Sequence, residues 1–122
     1  MISIIDDDES VREATKNLVR SLGYSAFAFS SAEAYLQSPQ LLNSACLITD
    51  LQMPGMSGAE LQDRLIADGL DTPMIFMTAY FDERAKKRVM DAGAFGFLSK
   101  PIDEDCFIKC VDEALKHSDR AH

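Results

Sequence analysis

Four short apolar runs in this chain stop at residues that could do chemistry. Ile2 to Ile5 is followed by Asp6, Asp7 and Asp8; Ala45 to Thr49 by Asp50; Met74 to Met77 by Thr78; and Gly96 to Leu98 by Ser99, Lys100 and Pro101. If these stops share one place, three carboxylates, those of Asp6, Asp7 and Asp50, crowd together. At an effective dielectric near 20, two like charges about 4 Å apart repel by roughly 4 kcal/mol, so the cluster needs a cation or protons. Oxygen-only ligands of this type suit Mg2+ or Mn2+, which keep several waters and share coordination with phosphoryl groups. Lys100 adds a fixed positive charge, and Thr78 a hydroxyl able to bond one phosphoryl oxygen. A carboxylate nucleophile, a metal opposite it and a lysine are the parts of in-line phosphoryl transfer, a reaction of positioning and charge neutralisation. Asp50 stands alone at its strand end and is the best candidate for the nucleophile. Singly, each residue has an ordinary structural explanation; the joint placement at four strand ends, in chain order, carries the reading.

The elements that must bring these residues together follow from the hydrophobic pattern. Short apolar runs alternate with longer stretches of helical period, as repeated strand–helix units and a parallel sheet require. Five strands are expected: Ile2 to Ile5, Ser25 to Phe29, Ala45 to Thr49, Met74 to Met77 and Gly96 to Leu98. In open parallel sheets ligands bind beyond the carboxyl ends of the strands, and in the common order 2-1-3-4-5 the first and third strands are neighbours at the switch point. That order makes Asp6, Asp7 and Asp50 converge. Ser10 and Glu13 read as a capping box opening the first helix, with Gly23 beyond Leu22 as its left-handed cap. Val11, Ala14, Leu18 and Leu22 give that helix an apolar face, and Arg12, Lys16 and Arg20 a basic stripe, either solvated or docking an acidic partner. Later helices are expected over Ser31 to Gln37, Ser57 to Asp68, Asp82 to Asp91 and Asp103 to Lys116, each opening at a capping residue. His117 to His122 reads as a polar tail or the start of a linker, leaving residues 1–116 as a single domain.

Composition narrows the function class. A length of 122 residues predicts one domain whose core needs neither disulfide nor structural metal. The net charge of −8 argues against a nucleic-acid surface, so DNA, if a target, must be touched by another domain. No membrane span or secretion signal is evident, and a cytoplasmic location is expected. Cys46, Cys106 and Cys110 lack metal-like spacing and read as small packing residues. Arg84, Lys86, Lys87 and Arg88 form a basic cluster on the fourth helix, solvated or facing acidic residues of a partner subunit. Gly93 and Gly96 read as serving backbone geometry.

Ile5-Asp6-Asp7-Asp8-Glu9, Thr49 through Gly58 (Thr-Asp-Leu-Gln-Met-Pro-Gly-Met-Ser-Gly), Met77-Thr78-Ala79 and Ser99-Lys100-Pro101 resemble the receiver domain of two-component response regulators. The resemblance covers essentially the whole chain. The wording around Asp50 and Lys100 is similar to the FixJ-like branch of the LuxR/NarL-type regulators, in which the receiver usually precedes a helix-turn-helix domain. An excised domain is therefore expected rather than a stand-alone regulator. The resemblance implies a flavodoxin-like (CheY-like) doubly wound α/β fold with five helices. It further implies that Asp50 takes a phosphoryl group from the phosphohistidine of a sensor histidine kinase. Asp6 and Asp7, with Asp50 and the backbone carbonyl of Gln52, would hold Mg2+. Thr78 and Phe97 would be the switch pair, moving the face made by the fourth helix, fifth strand and last helix, where relatives dimerise or contact effectors. Phe97 departs from relatives with tyrosine there, having no hydroxyl. Gln52 and Tyr80 would tune hydrolysis of the phosphoaspartate, and Pro101 would follow a cis bond. Such a domain is a switch that takes part only in its own phosphorylation and dephosphorylation.

Two rivals share the pattern. Asp6-x-Asp8-x-Ser10 after an apolar strand resembles the nucleophile motif of haloacid-dehalogenase-type phosphatases, with Asp6 as nucleophile, although such enzymes are usually longer and need a later acidic pair. A flavin-binding module of the same topology conflicts with the acidic first loop, which would repel a phosphate. A third option, a domain that docks partners without ever taking phosphate, conflicts with the complete set Asp6, Asp7, Asp50, Thr78 and Lys100.

Overall fold

In a computed structural model, which describes the backbone of residues 1–120 and side chains through residue 117, strands and helices alternate along the chain. The order is β1 (Ile2–Ile5), α1 (Glu9–Ser21), β2 (Ala26–Phe29), α2 (Ala32–Leu36), a 3-10 turn (Pro39–Leu42), β3 (Cys46–Asp50), α3 (Gly58–Ala67), β4 (Met74–Thr78), α4 (Glu83–Asp91), β5 (Gly96–Ser99) and α5 (Glu104–Arg120). All strand pairs are parallel and the sheet runs β2-β1-β3-β4-β5. This is the doubly wound order expected from the sequence. The 3-10 turn was not expected; Ser38 caps it by accepting the Gln40 N–H, and Pro39 opens it.

Parallel strands covered by helices on both faces must be apolar on both faces. β1, β3 and β4 are fully buried along their length. Alternate residues feed two cores. Ile5, Leu47 and Phe76 point to α2, α3 and α4, where they meet Tyr35, Leu61, Leu65 and Val89. Ile4, Ile48, Ile75 and Met77 point to α1 and α5, where they meet Val19, Phe107, Val111 and Ala114. The sheet is thereby clamped, and its carboxyl edge is fixed relative to both helix layers.

Several helix expectations need correction. The N-cap of α1 is Asp8, whose carboxylate accepts the Ser10 and Val11 N–H groups; Ser10 is already inside the helix, so no Ser10–Glu13 capping box forms. The buried residues of α1 are Thr15 and Val19, with Leu18 and Leu22 partly buried, while Ala14 is exposed. The buried face is thus displaced from the expected stripe toward Thr15 and Val19, and Thr15 is tolerated there because its hydroxyl donates to Val11 O at 2.8 Å. At α3 the cap expected at Ser57 is present, and the structure adds Glu60 to make it a capping box. α5 continues to Arg120, through the first residues of the stretch read as a tail; residues 121–122 lie outside the described part.

The cysteines also divide. Cys46 is buried, with its thiol pushed up to about 12 chiefly by desolvation, and Cys110 is half-buried. Cys106 is exposed, contrary to the packing role read for it. Gly96 serves packing as well as the turn: a Cβ there would collide with Cys110 Sγ. In the basic cluster of α4, Arg88 pairs with Asp63 of α3 at 2.8 Å and Lys87 with Asp91 at 3.0 Å, so half of it is engaged within the chain.

Candidate functional site

Register builds the site. Ile5 lies opposite Thr49 in the β1–β3 pair, so the residues that follow, Asp6 and Asp50, emerge side by side at the carboxyl edge. One oxygen each from Asp6, Asp7 and Asp50 falls within 4.8 Å of the others. Asp6 is fully buried, Asp50 nearly so, and Asp7 exposed, which leaves the cluster open to solvent on one side.

Lys100 arrives from beyond β5. Its backbone N–H donates to Thr78 O at 2.8 Å, which anchors its base against β4. Its Nζ donates to Asp6 Oδ2 at 2.9 Å and Asp50 Oδ2 at 3.3 Å. The bond between Lys100 and Pro101 is cis, as the resemblance implied. The remaining carboxylate oxygens are aimed by backbone: Asp8 N–H donates to Asp6 Oδ1 at 2.9 Å, and Gln52 N–H to Asp50 Oδ1 at 3.3 Å. Arg12 of the basic stripe folds back, Nη1 donating to Asp6 O at 2.8 Å. The sequence pattern left Arg12 on a solvated or partner-facing stripe; its link to a carbonyl six residues earlier needs the bend after β1.

Electrostatics follow from this geometry. Burial pushes the Asp50 carboxyl above the ordinary carboxylate range; the Lys100 charge opposes the rise and the nearby Asp6 adds to it. Burial pulls the Lys100 ammonium down, but the hydrogen bond to Asp6 and the charges of Asp50 and Asp6 outweigh it, leaving Lys100 more firmly protonated than a free lysine. Lys100 thus neutralises one of the negative charges of the cluster, and a divalent ion is suited to the rest. The donors are all oxygen and two belong to carboxylates held in fixed orientation, a set that fits Mg2+ or Mn2+.

Thr78 is buried at the end of β4, its Oγ1 donating to Tyr80 O at 3.0 Å and accepting the Tyr80 N–H at 3.1 Å. The hydroxyl is therefore occupied by its own loop here rather than by Asp50. Tyr80 is 74% exposed beside the site mouth. Phe97 is half-buried and meets the exposed ring of Phe81 edge to face, centroids 6.0 Å apart at 85°. Lys86 Nζ lies 5.7 Å from the Phe81 centroid, so the ring pair borders the basic helix. Gly58, starting α3, has a packing reason for lacking a side chain: a Cβ would lie 2.5 Å from Asp50 O.

A doubly wound five-stranded sheet with three carboxylates and one lysine at its switch point is the arrangement of a signal-receiving α/β domain. The chain belongs to the response regulator receiver domain family, whose profile matches residues 2–112. It is 40% identical over 116 residues to the response regulator protein TmoT of Ectopseudomonas mendocina, covering 95% of this chain and 53% of that protein. It is 38% identical over 117 residues to the transcriptional regulatory protein FixJ of Azorhizobium caulinodans, covering 96% of this chain and 56% of that protein. Among solved structures, the response regulator StyR superposes with a TM-score of 0.91 at 38% identity, over 98% of this chain and 61% of that one. The N-terminal part of FixJ gives 0.85 at 32% identity, over 95% and 93%. These relatives are of the FixJ-like kind, the branch expected from the residues around Asp50 and Lys100. The chain spans about half the length of the curated relatives it matches.

Proposed function

We propose that this domain is a phosphoacceptor switch in which Asp50 receives a phosphoryl group from the phosphohistidine of a sensor histidine kinase. The observation that carries the reading is Lys100 Nζ reaching both Asp6 and Asp50 where three carboxylates meet within 4.8 Å. One Asp50 carboxylate oxygen attacks phosphorus; the phosphorus–nitrogen bond breaks, and the imidazole leaves with the electron pair. Asp6, Asp7 and Asp50, with the Gln52 carbonyl, would hold Mg2+, which supplies charge neutralisation for phosphoryl oxygens. The Gln52 N–H fixes one Asp50 oxygen, leaving the group oriented, and Lys100 offers its ammonium to the incoming oxygens.

An exposed groove of about 350 Å³ beside Lys100, walled by Val11, Ala14, Leu18, Pro101 and Ile102, offers the kinase an apolar seat. After transfer, Thr78 exchanges its Tyr80 partners for a phosphoryl oxygen and Phe97 turns inward, so α4, β5 and α5 shift together. The exposed Phe81 just before α4, Met90 of α4 and Ile108 of α5 favour a homodimer or effector contact on that face. Tyr80 and Gln52 flank the acyl phosphate and set its lifetime. The output is transcription, with DNA contacted by a separate segment rather than this acidic domain. The domain catalyses nothing beyond its own phosphorylation and dephosphorylation, and acts in the cytoplasm; no described helix is long and apolar enough to cross a membrane.

The test is intact-protein mass after treatment with acetyl phosphate and Mg2+. One phosphoryl adduct is expected, lost on adding chelator beforehand and absent in Asp50→Asn. An adduct that persists in Asp50→Asn overturns the proposal and returns the Asp6 phosphatase-like reading.

A further inference from the structure

Between β3 and α3 the chain crosses the mouth of the site from Leu51 to Ser57. Backbone bonds hold its ends: Leu51 N–H donates to Met77 O at 2.8 Å and Gly58 N–H to Leu51 O at 2.9 Å. The crest is held from elsewhere. Glu33, in the first turn of α2, accepts the Met56 N–H on Oε1 at 3.3 Å. Its other oxygen fills the space where Gly55 has no side chain, since a Cβ there would lie 2.7 Å from Glu33 Oε2. Gly55 also sits at φ +76°, a conformation glycine adopts without steric cost. Among the described residues, no other hydrogen bond reaches the backbone of Gly55 or Met56.

The carboxylate comes from a firm base. Ser31 caps α2 by accepting the Ala34 N–H at 3.1 Å, and Ala32 and Tyr35 on either side of Glu33 are fully buried. Glu33 itself is exposed and belongs to neither core, so fold stability does not account for it. What it touches is the segment carrying Gln52, whose N–H already binds the Asp50 carboxylate.

We infer that Glu33 is a positioning residue for cation binding: its carboxylate holds the Leu51 to Ser57 loop in the form that presents the Gln52 carbonyl to the acidic cluster. The inference rests on the assignment of that cluster as the cation site. A loop freed at its crest samples other conformations, and apparent affinity falls in proportion to the competent fraction. One modest hydrogen bond corresponds to about fivefold in such a population.

The experiment is a Mg2+ titration of metal-free protein by amide chemical shifts and calorimetry for wild type, Glu33→Ala, Glu33→Gln and Asp7→Asn. Amide exchange of Met56 is measured before metal is added. Glu33→Ala is expected to bind Mg2+ measurably more weakly, by up to about fivefold, with faster Met56 exchange. Glu33→Gln, which keeps an acceptor oxygen, stays close to wild type in both. At saturating Mg2+ the Glu33→Ala rate with acetyl phosphate returns to wild type. If Asp7→Asn weakens binding and Glu33→Ala does not, the inference falls while the site stands; if neither weakens it, both fall. Glu33→Gln as weak as Glu33→Ala would show charge, not the loop bond, at work and would also overturn it.

Discussion

Replacing Lys100 with methionine keeps most of the aliphatic stem and removes only the ammonium. At an effective dielectric near 20, contacts of 2.9 Å to Asp6 and 3.3 Å to Asp50 correspond to attractions of about 6 and 5 kcal/mol. With the ammonium gone, oxygens of the buried Asp6 and Asp50 within 4.8 Å of each other repel by about 3.5 kcal/mol. Protonating one of them escapes the repulsion, at about 1.4 kcal/mol per pH unit above an ordinary carboxylate value near 4. That escape costs about 4 kcal/mol at pH 7 and about 1.4 kcal/mol at pH 5. Lys100→Met in chelator should therefore lose about 3 to 4 kcal/mol at pH 7, in line with breaking a buried ion pair, and only about 1 kcal/mol at pH 5. The sign follows from linkage: burial holds the Asp50 carboxyl above the ordinary range, and removing the opposing Lys100 charge raises it further, so the variant's stability is present at low pH and lost as pH rises. Urea unfolding at the two pH values, with chelator and then with Mg2+, is the assay. Mg2+ should recover more stability in the variant than in wild type, because a competing cation has left. A pH 7 deficit below about 1 kcal/mol, the worth of an exposed pair, or an equal deficit at both pH values, would refute the electrostatic account of the cluster.

Three further outcomes are expected. Asp50→Asn should stabilise the metal-free fold at pH 7: burial first, then Asp6, raise the Asp50 pKa, so its contribution favours low pH and is lost on ionisation; urea midpoints of the two proteins should converge as pH falls below the carboxylate range. Gly96→Ala should cost about 1 to 3 kcal/mol by overpacking against Cys110 Sγ, and much of that should return in the Gly96→Ala/Cys110→Ala double variant, measured as a coupling in thermal unfolding. Tyr80→Ala should leave phosphorylation intact and shorten the life of the adduct, followed by intact mass over time; a label lost no faster than in wild type contradicts the part proposed for Tyr80 in setting that lifetime.

What the sequence disclosed was decided by strand ends. Asp6, Asp50 and Lys100 follow short apolar runs, and once the sheet order is 2-1-3-4-5 the register leaves them nowhere to go but together. Local signals misled where two residues could play one part: Asp8 and Ser10 both suit an N-cap, and the bend after β1, tied by Asp8 N–H to Asp6 Oδ1, selects Asp8. Contacts between elements had no local signal. Arg12 on the Asp6 carbonyl and Glu33 on Met56, 23 residues away, depend on how helices and loops sit over the sheet. Cys106 and Cys110, one turn apart, look alike in sequence, yet only Cys110 faces Gly96, because α5 packs through Phe107 and Val111.

The measurement closest to the central claim locates the phosphoryl group itself. Protein labelled with acetyl phosphate and Mg2+ is reduced with borohydride, which converts an acyl phosphate to the alcohol, and its peptides are fragmented. Reduction confined to Asp50 is the predicted result. Reduction at Asp6, or at no carboxylate, would contradict it.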